Sequence, residues 1–285
     1  MATRASPAVV ARRQIGNGIF VVFCIAVTAI ALVALALILW SLVSQGASGI
    51  NLNIFKLDTP AAGSVGGLRN AIVGSIMMCA LAMVIAVVVG VLAGTWLSEY
   101  AGTSRYGSAI RFLNDVLLSA PSILIGLFVY ELLVRPFHGF SGFAGAVALA
   151  IIAVPVITRT TEDVLKLQPT SLREAGVALG SPFWHVVRTI LWRASANGMI
   201  TGALLAFARI SGETAPLLFT ALSNQFFTWN MAKPIASLPV VIFNDALTPY
   251  PDLNKLAWAA ALLTAAAVLA VTIVARVLSK EPRRS

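Results

Sequence analysis

A chain of 285 residues in which 59% are hydrophobic and only 11% charged falls far below the roughly 25% charged content of soluble domains, which excludes an ordinary soluble enzyme and indicates an integral membrane protein. The net charge of +9 would suit a nucleic-acid binder, but the basic residues flank apolar runs and are not interleaved with aromatics on a polar module. They read as membrane-orienting charges, with lipid rather than nucleic acid as the surrounding partner.

Residues 1–18 carry Arg4, Arg12 and Arg13 and no acid, and 19–43 then runs apolar without a charge. At about 1.5 Å per residue this run crosses a hydrocarbon core of about 30 Å. It is longer than the roughly 7 to 15 residues of a signal-peptide core, so it is expected to remain as a first span. Residues 44–67 shift to Gly, Asn, Ser and Pro with Lys56 and Asp58 and form a loop. A second span is expected near 71–97, where Gly90 and Gly94 give the small-xxx-small spacing that lets helices approach. Cys24 and Cys79 sit inside apolar runs and read as small hydrophobes rather than as a disulfide or metal site.

A third span is expected near 112–134, with Pro121 near its start, and a short fourth near 142–157, interrupted by Pro155. After the polar stretch 170–193, a fifth span near 197–222 holds Arg209, Glu213 and Pro216. A loop rich in aromatics and prolines leads to a sixth near 256–278. Without the alternation of a barrel strand, the fold class is an all-α membrane protein with six transmembrane helices. Placing the N-terminus inside puts 14 Lys and Arg on one side and 5 on the other, with Arg209 left within a span. By the positive-inside bias, both termini and the stretch 170–193 are cytoplasmic.

That stretch, SLREAGVALGSPFWHVVRTILWR from Ser171, is too long for a tight turn. Thr170 or Ser171 is expected to cap a helix whose first turn contains Glu174, where a carboxylate favours the positive helix end. Ala175, Gly176 and Gly180 leave a face with little side chain, and Gly180-Ser181-Pro182 reads as a glycine stop followed by a proline that starts a second helix. Two short helices with a bend would form a knob for a partner's groove. The same residues, with Trp184, Trp192 and Arg193 as anchors, would also suit a helix lying on the inner leaflet.

The chain has no phosphate-binding glycine loop ending in Gly-Lys-Ser/Thr, no HExxH and no paired Cys/His ligand spacing, so no catalytic or metal residue is assigned and His138 and His185 read as ordinary interfacial residues. Arg209 and Glu213 are the chemical signal. Counted from Asn197, Arg209 lies about 18 Å into its helix, near the bilayer midplane, where such a residue costs roughly 2.5 to 3.5 kcal/mol. The i,i+4 spacing would place both on one face. One reading is a salt bridge that fixes helix packing; the other is a pair lining or gating a pathway, helped by Gly212 and Pro216, which loosen the helix beside them.

Glu174-Ala175-Gly176, followed by Gly180 and later Ile190, resembles the EAA loop of ABC importer permeases, with Gly176 in place of an alanine and Trp192-Arg193 where Leu-Pro is common. The string Ala208-Arg209-Ile210-Ser211-Gly212-Glu213-Thr214-Ala215-Pro216-Leu217-Leu218-Phe219-Thr220 resembles the fifth-span signature of the PstA-type phosphate permease family. This resemblance implies a type I ABC importer permease fold, with a permease core over 68–278, a coupling helix in 170–193, a first helix at 19–43 and cytoplasmic tails 1–18 and 279–285. It implies a transport subunit of the bacterial inner membrane that carries no cofactor of its own. ATP and magnesium would be bound by a PstB-type ATPase dimer, alongside a homologous PstC-type permease and a PstS-type phosphate-binding protein. Arg173, Glu174, Ala175, Gly176 and Gly180 would couple to the ATPase, and Arg209, Ser211, Glu213 and Thr214 would line or gate the phosphate pathway. The rivals are an ABC permease for another anion or an organic solute, and a secondary transporter that needs no ATPase.

Overall fold

The computed structural model describes the backbone of residues 7–278 and the side chains of 13–274. The expected tails, with Arg4, Lys280, Arg283 and Arg284, fall partly or wholly outside that range. Among the described residues the fold is helical. The long helices are α1 (Pro7–Gly49), α3 (Arg69–Glu99), α6 (Gly142–Lys166) and α12 (Pro251–Leu278), with a short α2 (Asn53–Lys56) between the first two. These four are long and apolar enough to cross a membrane.

Helix α6 is the most buried of the four and packs along α3. It runs parallel to α3, because a Cβ on Gly90 would meet the Ile157 Cβ at 2.8 Å, and one on Gly94 would meet the Thr158 carbonyl oxygen at 2.5 Å and the Thr161 Cβ at 2.7 Å. The two glycines thus allow the backbone-to-backbone packing that takes the place of a hydrophobic driving force in lipid. Helix α1 stands apart: its side chains from Arg13 to Leu39 are exposed, and it meets α12 near its end, where Gly46 lies against Leu262 and Gly49 against Lys255.

Two expected spans differ from the observed helices at their prolines. The third is two helices, α4 (Arg105–Ser119) and α5 (Ser122–Val129), the latter extended by a π turn over Tyr130–Val134, and the pair bends by 105°. Ala120, pressed by the Pro121 ring, takes an extended ψ of 137° and cannot continue the helix. The fourth does not stop at Pro155. Helix α6 passes through it to Lys166, because burial on several sides holds the turns before and after the proline in place.

The stretch expected to form a knob is α7 (Thr170–Ala178) and α8 (Phe183–Val186). Beyond it a π turn over Val187–Leu191 leads directly into α9 (Trp192–Ile210), so the chain is helical from Phe183 to Ile210 without the proline that the resemblance led one to expect. Two short helices, α10 (Ala215–Thr220) and α11 (Leu238–Ala246), precede α12.

Candidate coupling and translocation sites

The knob is built by small residues and a reversal. Gly180, at φ +80°, ends α7 in the left-handed region that only glycine enters without cost, and Pro182 in an extended conformation precedes α8. Gly176 is buried where α7 crosses α8: a Cβ there would meet both Val186 methyls at 2.7 and 2.8 Å. The small face at this position therefore serves the knob's own packing. Helix α7 starts at Thr170 after Pro169, and neither Thr170 nor Ser171 caps it as expected, since no side chain bonds its first amides.

Outward from the knob, Glu174 and Ala175 are exposed, as are Val177, Ala178 and Leu179, the last at 86%. Arg173 points the other way. Its Nε and Nη2 donate to Glu99 Oε2 and Oε1, both at 2.7 Å, while Nη1 donates to the Gln168 carbonyl at 2.8 Å and Nη2 also to the Leu165 carbonyl at 2.9 Å. The Glu99 hydrogen bonds raise the Arg173 pKa above its ordinary value. A second buried carboxylate, Glu162 on α6, accepts from Arg111 Nε at 2.6 Å and from Lys166. Arg111 further donates to the Leu97 carbonyl at 2.7 Å and the Gly102 carbonyl at 3.1 Å.

Glu99, Arg111 and Glu162 are not among the residues that the sequence singled out. The available signal was that these acids stand at span ends on the side where the basic residues crowd.

The translocation candidates lie where α9 ends. Gly198 is against Val164 and Gly202 against Thr160, so α9 runs antiparallel to α6. Four residues up α9 correspond to four back along α6, which brings Arg209 level with Ala153, close to the middle of α6. The shared helical face expected from sequence is not formed. Helix α9 stops at Ile210, and Ser211 to Thr214 form a break before α10, so Arg209 and Glu213 do not share an i,i+4 face. Glu213 instead donates its backbone N–H to the Ile210 carbonyl at 3.3 Å, in a turn.

Arg209 and Gly212 are exposed on this chain, while Ser211, Glu213 and Thr214 are partly buried. Among the described residues no ion pair includes Arg209 or Glu213. Pro216, in the first turn of α10, lies against Gly126 of α5, so the two interrupted helices pack on each other beside α6. Non-helical backbone at membrane depth persists only where protein or a water-filled cavity receives its polar groups.

A cavity of about 500 Å³ lies between α3, α9 and α12, lined mainly by apolar side chains with Ser75, Cys79, Ser211 and Thr264. With no charged group in its wall it cannot compensate an anion.

The family follows from residues 86–284, which match the binding-protein-dependent transport system inner membrane component family, and from close relatives. The phosphate transport system permease protein PstA of Haemophilus influenzae is 52% identical over 239 residues, 84% of this chain and 85% of the relative. The chain belongs to the PstA permease family. The Yersinia pestis PstA is 48% identical over 268 residues, covering 94% of this chain and 90% of its own. A probable PstA of Methanocaldococcus jannaschii is 34% identical over 270 residues, covering 94% and 95%. The fold is that of type I ABC importer permeases. An inward-facing MetNI methionine ABC transporter chain matches with a TM-score of 0.61 at 17% identity, over 73% of this chain and 93% of that one. A bacterial transporter importing the acidic polysaccharide alginate matches at 0.57 and 12% identity, over 88% and 94%.

Proposed function

We propose that this chain is a membrane-spanning permease subunit of an ATP-driven ABC importer that moves inorganic phosphate into the cytoplasm. The observation that carries the reading is the 52% identity to a PstA phosphate permease over most of both chains. In this reading it lies in the bacterial inner membrane with both termini cytoplasmic and six spans, the bent α4–α5 pair and the α9–α10 pair each counting as one. It works beside a PstC-type permease, on a PstB-type ATPase dimer that holds ATP and magnesium, and receives phosphate from a PstS-type binding protein.

The knob enters a groove of the ATPase through Glu174, Ala175 and the exposed turn around Leu179 and Gly180, while Gly176 keeps α7 pressed to α8 and Arg173 keeps it pressed to the spans. Closure of the ATPase dimer then moves the knob and, through it, the spans. Arg209, without an ion partner at mid-depth, supplies the positive charge that an anion needs in a medium of low dielectric. A lone cation there would hold the ion too tightly for release, and Glu213 tempers it. Glu213 also accepts a hydrogen bond from a protonated phosphate oxygen, which sulfate lacks at neutral pH, while Ser211 and Thr214 offer hydroxyls beside the break.

The test is phosphate uptake in a bacterial strain lacking its own permease subunit, complemented by this chain or by its Arg209→Gln variant. The native chain restores uptake, and the variant loses ~10-fold or more, the worth of a charge-assisted hydrogen bond of about 1.5 to 3 kcal/mol. Restoration of sulfate uptake alone, or uptake that persists after the partner ATPase is removed, overturns the reading.

A further inference from the structure

The two buried carboxylates at the cytoplasmic ends of the spans belong neither to the exposed docking patch nor to the pathway. Glu99 is the final residue of α3, its side chain is 2% exposed, and both its oxygens are taken by the Arg173 guanidinium, with Ser98 Oγ adding a bond of 2.8 Å to Oε1. A planar guanidinium facing a carboxylate through two parallel bonds fixes angle as well as distance, which a lysine cannot do. The other bonds of Arg173 end on the Leu165 and Gln168 carbonyls at the close of α6, so one side chain joins α7 to both α3 and α6.

Two residues before Glu99, the Leu97 carbonyl receives Arg111 of α4, whose Nε bonds Glu162 of α6. The last turn of α3 therefore collects an arginine from the knob and an arginine from the interrupted α4. The free carbonyls and negative dipole end of a helix C-terminus favour cations at that place. From there α3 runs straight along α6 through the Gly94 and Gly90 contacts to Cys79, which lines the same cavity as Ser211 at the α9 break. A helix so closely packed moves as a body.

We propose that Glu99 is a positioning residue for energy coupling: the Glu99–Arg173 fork is the joint through which displacement of the coupling helix is passed to α3 and so to the region of the α9 break. The Arg111–Glu162–Lys166 group is the companion joint that carries α4 and α6 with it. The proposal rests on the ABC-importer reading above. It predicts that the fork sets how much phosphate moves for each ATP consumed, rather than whether the complex forms.

The experiment uses the complete transporter, permease pair, ATPase dimer and binding protein, in proteoliposomes. Radiolabelled phosphate uptake and ATP hydrolysis are measured together and normalised to assembled complex. The unaltered complex couples the two. Glu99→Gln, which keeps shape and loses charge, is expected to retain hydrolysis while uptake per ATP falls ~10-fold, as for loss of a charge-assisted bond. Arg173→Lys, which keeps charge and loses the fork, is expected to fall in the same direction. The reversed pair Glu99→Arg with Arg173→Glu is expected to recover most of the ratio.

A Glu99→Gln complex with an unchanged ratio overturns the joint, as does one in which uptake and hydrolysis fall together in proportion to lost assembly. If Glu99→Gln does not assemble, Arg173→Lys and the reversed pair decide by the same ratio. If the unaltered complex hydrolyses ATP and moves no phosphate, the transport reading itself falls, a result distinct from any behaviour of Glu99.

Discussion

Replacing Gly94 by alanine tests the packing on which both candidate sites depend. The added methyl would lie 2.5 Å from the Thr158 carbonyl oxygen and 2.7 Å from the Thr161 Cβ, where carbon-to-oxygen contacts ordinarily begin near ~3.3 Å. The nearer obstacle is backbone, so no rotamer relieves it, and α3 must retreat from α6 by most of an ångström. Overpacking of this kind costs about 1 to 3 kcal/mol, and the better helix propensity of alanine returns at most about 1 kcal/mol. The net expectation is destabilisation by about 1 to 2 kcal/mol, within the sum of those two ranges.

Gly16 in α1 is the matched control, because nothing lies within 4 Å of a Cβ there. Gly16→Ala should be neutral or slightly stabilising. Thermal unfolding of the purified permease, followed by tryptophan fluorescence in one detergent, compares the two. Thr161→Ser in the Gly94→Ala background removes the Cγ2 methyl but not the Thr158 oxygen, so it should restore only part of the loss. If Gly94→Ala melts at or above the native chain, α3 and α6 are not held at backbone contact and the reasoning fails.

Glu174→Arg reverses the exposed charge of the docking patch and should leave insertion intact while hydrolysis by the partner ATPase no longer drives uptake. Unchanged uptake in vesicles would remove Glu174 from docking. Glu213→Gln should lower the phosphate-over-sulfate ratio or the transport rate measured with labelled anions, and equal values would leave Glu213 a packing role. Burial pushes the Asp245 carboxyl, in α11, up to about 6. Because folding favours its protonated form, the cost of the charge is absent near pH 4 and present in full above pH 6. Asp245→Asn should therefore raise the melting temperature more at pH 7.5 than at pH 4.5, and an equal or reversed gain would show the carboxyl to be solvated.

Local spacing carried the reading of this sequence a long way where the physics is local. The small-residue spacing at Gly90 and Gly94 became the α3–α6 contact, and Gly180-Ser181-Pro182 became the reversal of the knob. Pro121 and Pro155 were misread because their effect depends on neighbours. Pro155 is carried inside the most buried long helix, while Pro121 breaks the chain by 105° where Ala120 is free to extend. Counting along one helix put Arg209 and Glu213 on a shared face, but α9 ends at Ile210 and separates them. The carboxylate clamps were out of reach, since their partners are 74 and 51 residues apart in the chain. No periodicity within one segment reports such a pairing.

The π turn at Val187–Leu191 has a geometric consequence for the chain that follows it. A wide turn accommodates one residue more than an α-helical turn would, and each residue of an α-helix subtends about 100°. Knob and span are thus one rod with a fixed angular offset: Val186 faces Gly176 below the turn, while Gly198 and Gly202 face α6 above it. Deleting a single residue there would leave the rod whole and rotate everything beyond it by about 100°. Either the knob would keep its seat and Arg209 would swing to another side of the bundle, or Arg209 would stay and the knob would turn away.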